Sequence, residues 1–292
     1  MRIRIHADLH VGSKWGLWPP GVTDDDGQAY PQSATQELLW RWWLRIAQEA
    51  PQPDLVVLNG DLLDGPSWRA APGDVLTGSM DLQQRALVEV LRPVVRPGAW
   101  YCVAGTQYHE PDRLGVVAEA LGAARGHNGE RVFDHLWLEC RKLRILCMHH
   151  PDGRGWYQGT GMDRDAMLAV LQASLGRMPL PDVIVESHLH VHAYAYVHRR
   201  LVVRTPGWQL QTRYAMARAP FRWLPDIGCV DIVLRDGDPP VVEPYLFQLP
   251  LPKPQRIVEE AHNAAGAAGR AAAARPARGR RGHRSPGRAD GD

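Results

Sequence analysis

Val183-Ile184-Val185-Glu186-Ser187-His188-Leu189-His190-Val191-His192 is the stretch on which the reading of the chain turns. Its apolar start reads as a buried strand, and histidines follow at every second position. Alternate residues of an extended chain point the same way, so His188, His190 and His192 can project on one side. Neutral imidazole is the commonest metal ligand in proteins. The plainer alternative is a half-exposed strand that happens to be rich in histidine. Carboxylates brought to the same place by other segments would separate the two.

Four earlier segments end in that kind of residue. Residues 2–7 alternate into a short strand and deliver Asp8-Leu9-His10. The apolar run 55–58 ends in Asn59-Gly60-Asp61-Leu62-Leu63-Asp64, and the run 100–104 ends in Gly105-Thr106-Gln107-Tyr108-His109-Glu110. A strand over 142–148, preceded by one over 132–139, finishes in His149-His150-Pro151. Helices are expected over 33–50, 80–95, 113–123 and 162–175. The first has Ser33 and Gln36 spaced for a capping box, and Leu38, Leu39, Trp42 and Ile46 give it an apolar face, thickened by Trp40 and Trp43. After the histidines, strands follow one another at 193–197, 201–205, 228–234 and 241–247. Early alternation of strand and helix argues for an α/β layered fold with ligands at the strand ends. The late run of strands argues for antiparallel hairpins or a second sheet.

Chance can supply one or two polar strand ends, but five in succession are hard to assign to the core. In an α/β sheet those ends converge on one edge. Mixed carboxylate and imidazole donors suit Mn, Fe, Zn or Ni better than Ca or Mg. More than four ligands points to two metals, which a carboxylate can bridge at about 3.5–4 Å. Asp61, between Gly60 and an apolar strand, is the best bridge.

The bulk properties agree with a soluble globular chain: 292 residues, 45% hydrophobic and 23% charged. No run of about 18 apolar residues suggests a membrane span, and the N-terminus reads at once as a strand rather than a signal peptide. Cys102, Cys140, Cys147 and Cys229 are scattered with no C-x-x-C pair, which favours reduced thiols and a cytoplasmic setting. The formal charge of +2 is the difference between +5 in residues 261–292, which hold seven arginines, and −3 in the first 260. A proline linker stands at 250–254, and after Glu260 the composition is almost entirely Ala, Gly, Arg and Pro. Two regions are therefore expected: a folded domain over 1–250 and a disordered tail over 251–292. Such a tail can bind nucleic acid by charge alone, or serve only as a solvated end.

The order of these motifs resembles the calcineurin-like metallophosphoesterases. It is carried by Asp8-Leu9-His10, Gly60-Asp61-Leu62-Leu63-Asp64, the Gly105–His109 block, His149-His150 and Ser187-His188-Leu189-His190, over residues 3–235. Within that family it looks closest to bacterial and phage-associated members, through the G-T-x-x-H block and Thr205-Pro206-Gly207-Trp208-Gln209. The resemblance implies a layered β-sandwich flanked by helices, in the α/β class. It implies Asp8, His10 and His190 on a first metal, Asp61 as bridge, and His188 with one of the paired histidines on a second. His150 is favoured over His149, because Pro151 marks the turn; His149 is then a supporting or core residue. Asp64 would orient its neighbours, His109 would donate a proton to the leaving oxygen, and His192 falls on the rim. Two departures stand out. Thr106 follows the glycine where the family has a metal-binding asparagine, so a weaker ligand, a water or Gln107 takes its place; and Ser187 replaces a glycine.

The implied function is hydrolysis of a phosphate ester by a metal-bridging hydroxide, with a phosphodiester, nucleic acid or nucleotide favoured. Trp15, Trp18, Trp68 and Trp156, on loops near the strand ends, could stack bases. The mildly acidic body and Asp24-Asp25-Asp26, on the long loop 14–32 expected to act as a lid, argue the other way. The alternatives are a phosphomonoesterase or nucleotide phosphatase, and a metal-binding interaction protein that has lost turnover, suggested by the altered Gly105–His109 block. An unrelated metal-dependent amide hydrolase fits the order of the motifs less well.

Overall fold

Strand β1 (Arg2–His6) sets out the layers of the computed structural model, which describes residues 1–66, 73–110, 113–151, 157–218 and 224–249. Ile3 and Ile5 point to one side, into an apolar interior between two sheets; Arg4 and His6 point to the other, under a layer of helices. This period of two recurs in β2 (Leu55–Asn59), where Leu55 and Val57 face the second sheet and Val56 and Leu58 face the helices. A strand buried on both faces reads as a continuous apolar run, as β2 does.

The first sheet adds β3 (Trp100–Val103) and β4 (Val132–Phe133), parallel to β1 and β2, and on the other side β10 (Ile227–Val233), antiparallel to β1, and β11 (Val241–Phe247), antiparallel to β10. Its order is β11-β10-β1-β2-β3-β4. The second sheet runs β5-β6-β7-β9-β8. Its members are β5 (His135–Cys140), β6 (Leu143–Met148), β7 (Val183–Glu186), β8 (Ala193–Val197) and β9 (Arg200–Arg204). Helices α1 (Ala34–Glu49), α2 (Met80–Leu91) and α3 (Leu114–Ala120) cover the first sheet. Helix α4 (Gln158–Ser174) covers the second, and a short α5 (Arg213–Arg218) follows β9. The result is the expected α/β layered sandwich flanked by helices.

Several boundaries moved for physical reasons. The strand expected over 132–139 is two, because the chain leaves the first sheet after Phe133 and enters the second at His135. In α1 the capping box is present, with Ser33 Oγ accepting from Gln36 N and Gln36 Oε1 accepting from Ser33 N. The buried face of α1 is Gln36, Leu39, Trp43 and Ile46, so Trp43 takes the central place expected of Trp42. Trp42 is half-buried and stacks on Phe247, with centroids 4.9 Å apart. The loop 14–32 is not a free lid, since Leu17 and Trp18 are fully buried in the core beneath the helices. All four cysteines are free thiols. Among the described residues no helix is long and apolar enough to cross a membrane. The tail expected over 251–292 lies outside the described residues, as do Trp68 and Trp156.

Two buried ion clusters lie on the outer faces of the sheets. On the first, Arg4 forms a two-armed bond with Asp231, Nε to Oδ1 at 2.8 Å and Nη2 to Oδ2 at 2.9 Å, opposite it in the ladder. On the second, under α4, Arg204 donates to Glu186 at 2.9 Å and to Asp165 at 3.3 Å. Burial, and then Asp165, push the Glu186 carboxyl up to about 8.

Asp231→Ala would strand a buried guanidinium, so a loss of about 3–5 kcal/mol is expected in urea unfolding, most of it recovered in the Arg4→Met/Asp231→Leu pair. For Glu186 the folded pKa lies above the ordinary 4.5. Its contribution is therefore fully present below that value and is lost as pH rises through about 8. Glu186→Gln needs no proton, so its melting temperature should fall less than that of the parent chain between neutral and mildly alkaline pH. Parallel melting curves would argue against a proton held at Glu186.

Candidate metal centre

Strands β1, β2 and β3 run parallel in one sheet, β6 and β7 in the other, and all five release the chain at one edge of the sandwich. The backbone there leaves the extended region abruptly. Nine non-glycine residues among those described have positive φ, and four of them, Arg141, Lys142, His198 and Arg199, form two-residue hairpin turns. The other five are Asp8, His10, Asp61, His188 and His190. Such conformations cost about 1–3 kcal/mol each and persist where surrounding structure enforces them. They also alter the opening picture: β7 ends at Glu186, so His188 and His190 stand on a left-handed turn rather than on an extended strand.

The turn sends the two rings to different partners. His190 Nε2 lies 3.2 Å from Asp8 Oδ1 and 3.3 Å from His10 Nε2. His188 Nδ1 lies 3.9 Å from Asp61 Oδ2, and its ring centroid is 4.4 Å from that of His150. His149 Nε2 is 3.1 Å from Asp61 Oδ2 and 3.9 Å from Asp8 Oδ1. Ligand-type atoms of Asp8, His10 and His190 fall within 4.8 Å of one another, as do those of His149, His150 and His188; Asp8, Asp61 and His149; and His10, Asp61 and His109.

The donor set and its surroundings fit a cation. The ion pairs of Asp8 and Asp61 among the described residues are all to histidines. Asp8 Oδ1 and His149 Nε2 are buried without a hydrogen bond, although each has a ligand-type atom close by. Burial, then His109, hold His10 well below the ordinary imidazole value, in the neutral form that binds metal. Burial opposes charge on His149 too, but Asp61, Asp8 and the Asn59 carbonyl together outweigh it and lift that ring to about 10. The two carboxylates thus attract positive charge into the cluster.

A supporting layer holds these groups. Asn59, at the end of β2, donates to Met148 O at 2.9 Å and to Ser187 Oγ at 2.6 Å, and Ser187 Oγ meets Thr205 Oγ1 at 2.8 Å. Ser187 is therefore a tie between the sheets. His149 Nδ1 donates to Asn59 O at 2.8 Å, which aims its Nε2 at Asp61. Asp64 works from both ends: its carboxylate is 3.4 Å from His10 Nδ1 and its carbonyl accepts from His109 Nδ1 at 2.7 Å. Burial, Asp61 and Asp74 push the Asp64 carboxyl up to about 7. The Thr205–Gln209 segment also serves the site, since Trp208 N donates to Asp8 O at 2.9 Å.

The expectations fare unevenly. Asp8, His10, Asp61, His109, His188 and His190 are gathered at one edge. At Asp61, however, it is His149 that lies against the carboxylate, whereas His150, the favoured one, is exposed. The reason is strand parity: Ile145 and Cys147 point into the sandwich, and His149 continues that direction. Thr106 donates both its N–H, at 2.6 Å, and its hydroxyl, at 3.0 Å, to Asp61 Oδ1. These bonds secure the Asp61 carboxylate, and Gln107 is exposed. His192 is tied to structure, its N–H to Asp226 at 2.8 Å and its Nδ1 to Arg204 O at 2.9 Å. Trp18 is in the core with its indole on Tyr30 O, and Trp15 donates to Asp74 at 2.7 Å. Sequence reasoning missed Asn59 and Glu110, whose only signal is a polar side chain on an apolar strand or directly after a site histidine.

No family model matches the sequence, and no curated protein matches it. Among solved structures the chain is similar to a novel archaeal phosphodiesterase, with 12% identity over 85% of this chain and 100% of that one, and a TM-score of 0.43. It is similar to wild-type Vps29 complexed with zinc from Entamoeba histolytica, at 12% identity over 85% and 100% of the two chains, with a TM-score of 0.38. A predicted phosphoesterase from Streptococcus pneumoniae has 11% identity over 84% and 97%, with a TM-score of 0.36.

Gly60 has φ +85°, and a Cβ there would run into the His149 ring. Gly60→Ala is expected to displace His149 and weaken binding of Mn2+ or Zn2+ by at least about tenfold, the scale of lost ligand support. Calorimetric titration of the purified chain measures it, and undiminished affinity would separate His149 from the metal.

Proposed function

We propose that this chain is a dinuclear metal-dependent phosphoesterase that favours phosphodiesters. The observation carrying this reading is that Asp61 lies against both groups of ligand-type side chains, through His149 and His188 on one side and within reach of His10 on the other. Asp8, His10 and His190 would hold one ion, His149 and His188 the second, and Asp61 would be shared. His150, beside His188, completes the solvent side of the second group. The ions are of the Mn, Fe, Zn or Ni kind. When bound, such a pair supplies a water made nucleophilic near neutral pH and positive charge against the phosphoryl oxygens.

The chain's own residues supply the rest. His109 is the proton donor: with Nδ1–H held by Asp64 O, its Nε2 is the atom left to serve the leaving oxygen. Its ring sits edge-on to His10, 4.6 Å between centroids, at the border of the cluster. Asp64 keeps both imidazoles in register. Buried Asp8 and Asp61 place the charge that holds the ions, and Thr106 leaves Asp61 only one oxygen to offer them. Stacking of nucleic-acid bases on the loop tryptophans has little support, with Trp18 buried and the Trp15 indole engaged by Asp74. The basic tail carries the remaining case for a polyanion. The engaged Thr106 favours a second reading, a metal-binding interaction protein without turnover.

With Mn2+ added, the chain is expected to hydrolyse bis-p-nitrophenyl phosphate faster than p-nitrophenyl phosphate. Asp61→Asn should abolish this activity, and His109→Asn should reduce kcat by about 10²–10⁴-fold, the usual worth of a general acid. Bound metal with no turnover on mono- and diester panels would favour the interaction protein. Full turnover in Asp61→Asn would sink the metal assignment.

A further inference from the structure

We infer that Glu110 is a positioning residue for the proposed reaction, clamping the loop that carries Asp61 to the loop that carries Thr106 and His109. The inference rests on the dinuclear reading above, in which Glu110 has no role as ligand or acid. Glu110 is a carboxylate with only 5% of its surface exposed, and among the described residues its side-chain hydrogen bonds all go to backbone amides. Oε1 accepts from Leu62 N and from Leu63 N, the latter at 3.2 Å; Oε2 accepts from Gly105 N at 2.7 Å.

These are the amides that the site's own geometry creates. Asp61 has φ +51°, and the left-handed turn points the two following N–H groups inward, where buried donors must find acceptors. Gly105 makes room on the other side, since a Cβ there would lie 2.6 Å from Glu110 Oε2. Thr106, next in the chain, donates through its N–H and hydroxyl to Asp61 Oδ1. Glu110 N in turn donates to Thr106 O at 2.9 Å. A closed ring of bonds therefore runs from Asp61 through Leu62, Glu110, Gly105 and Thr106 back to Asp61. It fixes Oδ1 and leaves Oδ2 to the cluster. Because His109 is the residue before Glu110, the same clamp sets the proton donor relative to the shared carboxylate.

Glutamine has the same shape but only one acceptor oxygen, so in Glu110→Gln one arm would set an amide N–H against a backbone N–H. Glu110→Asp keeps both oxygens but is too short to reach both loops. The full chain is titrated with Mn2+ by calorimetry, its metal-free unfolding midpoint is measured, and kcat and KM are taken on bis-p-nitrophenyl phosphate. Both variants should bind Mn2+ about 10–100-fold more weakly, the range for groups that orient ligands. The kcat should fall with KM little changed. A variant that folds and keeps parental Mn2+ affinity and kcat overturns the clamp. If neither Glu110 variant folds, Thr106→Val loosens the ring at its other end, removing the hydroxyl bond to Asp61 Oδ1 and leaving only the backbone one. It should weaken Mn2+ binding while Thr106→Ser restores it, and equal affinity in Thr106→Val and the parent overturns the inference. A parent chain that binds no divalent ion overturns the dinuclear reading itself, a result distinct from parental binding with indifferent variants.

Discussion

The Asn59 side chain spans the gap between the two sheets at the point where their apolar interior gives way to the polar cluster. Its amide reaches from the end of β2 to the Met148 carbonyl at the end of β6 and to Ser187 just past β7. The backbone carbonyl of Asn59 accepts a hydrogen bond from His149 Nδ1. Asp61 and the group of His149 and His188 are referred to this one residue, because Asp61 follows it by two positions and the two histidines flank the groups it binds. Hydrogen bonds in a buried setting are strong when satisfied and costly when one partner is missing. The network of Asn59, Ser187 and Thr205 thus sets the separation of the sheets where a small error would spoil the distances among the ligand-type side chains.

Above this layer the chain accepts unfavourable backbone conformations at Asp8, His10, Asp61, His188 and His190. An extended strand would carry its side chains alternately to opposite faces, past the edge of the sandwich. A left-handed residue turns the backbone back on itself, so that two sheets can aim five strand ends at one small volume. Compensation is visible in the bonds that hold each turn: Asp8 N on Gly60 O, His10 N on Asp61 O, and Asp226 N on His190 O. The buried carboxylates are matched in the same way, with Asp61 Oδ1 taken by Thr106 and Glu110 taken by three amides.

Much of the fold was legible in the pattern of apolar residues. The double-sided burial of β2, the capping box of Ser33 and Gln36, and the hairpin strands after the histidines all follow from local spacing. The gathering of Asp8, His10, Asp61, His109, His188 and His190 was legible as well, since parallel strands in a layered sheet end on the same side. Less legible were the places where two layers decide one side chain. Trp18 sits on a segment rich in proline and acid, yet it is fully buried. The run 132–140 carries one continuous strand pattern and serves two sheets.

By itself, then, the sequence determined which residue types arrive at the strand ends and in what order, because side-chain periodicity and turn chemistry are local. Tertiary structure alone decided what each of them faces. His149 rather than His150 lies against Asp61 because Cys147, two residues earlier, is packed between the sheets. Thr106 grips Asp61, and His188 and His190 part to different carboxylates, because left-handed turns reverse the alternation a strand would have imposed. Those directions depend on contacts between segments 45 to 180 residues apart, and no local pattern encodes them.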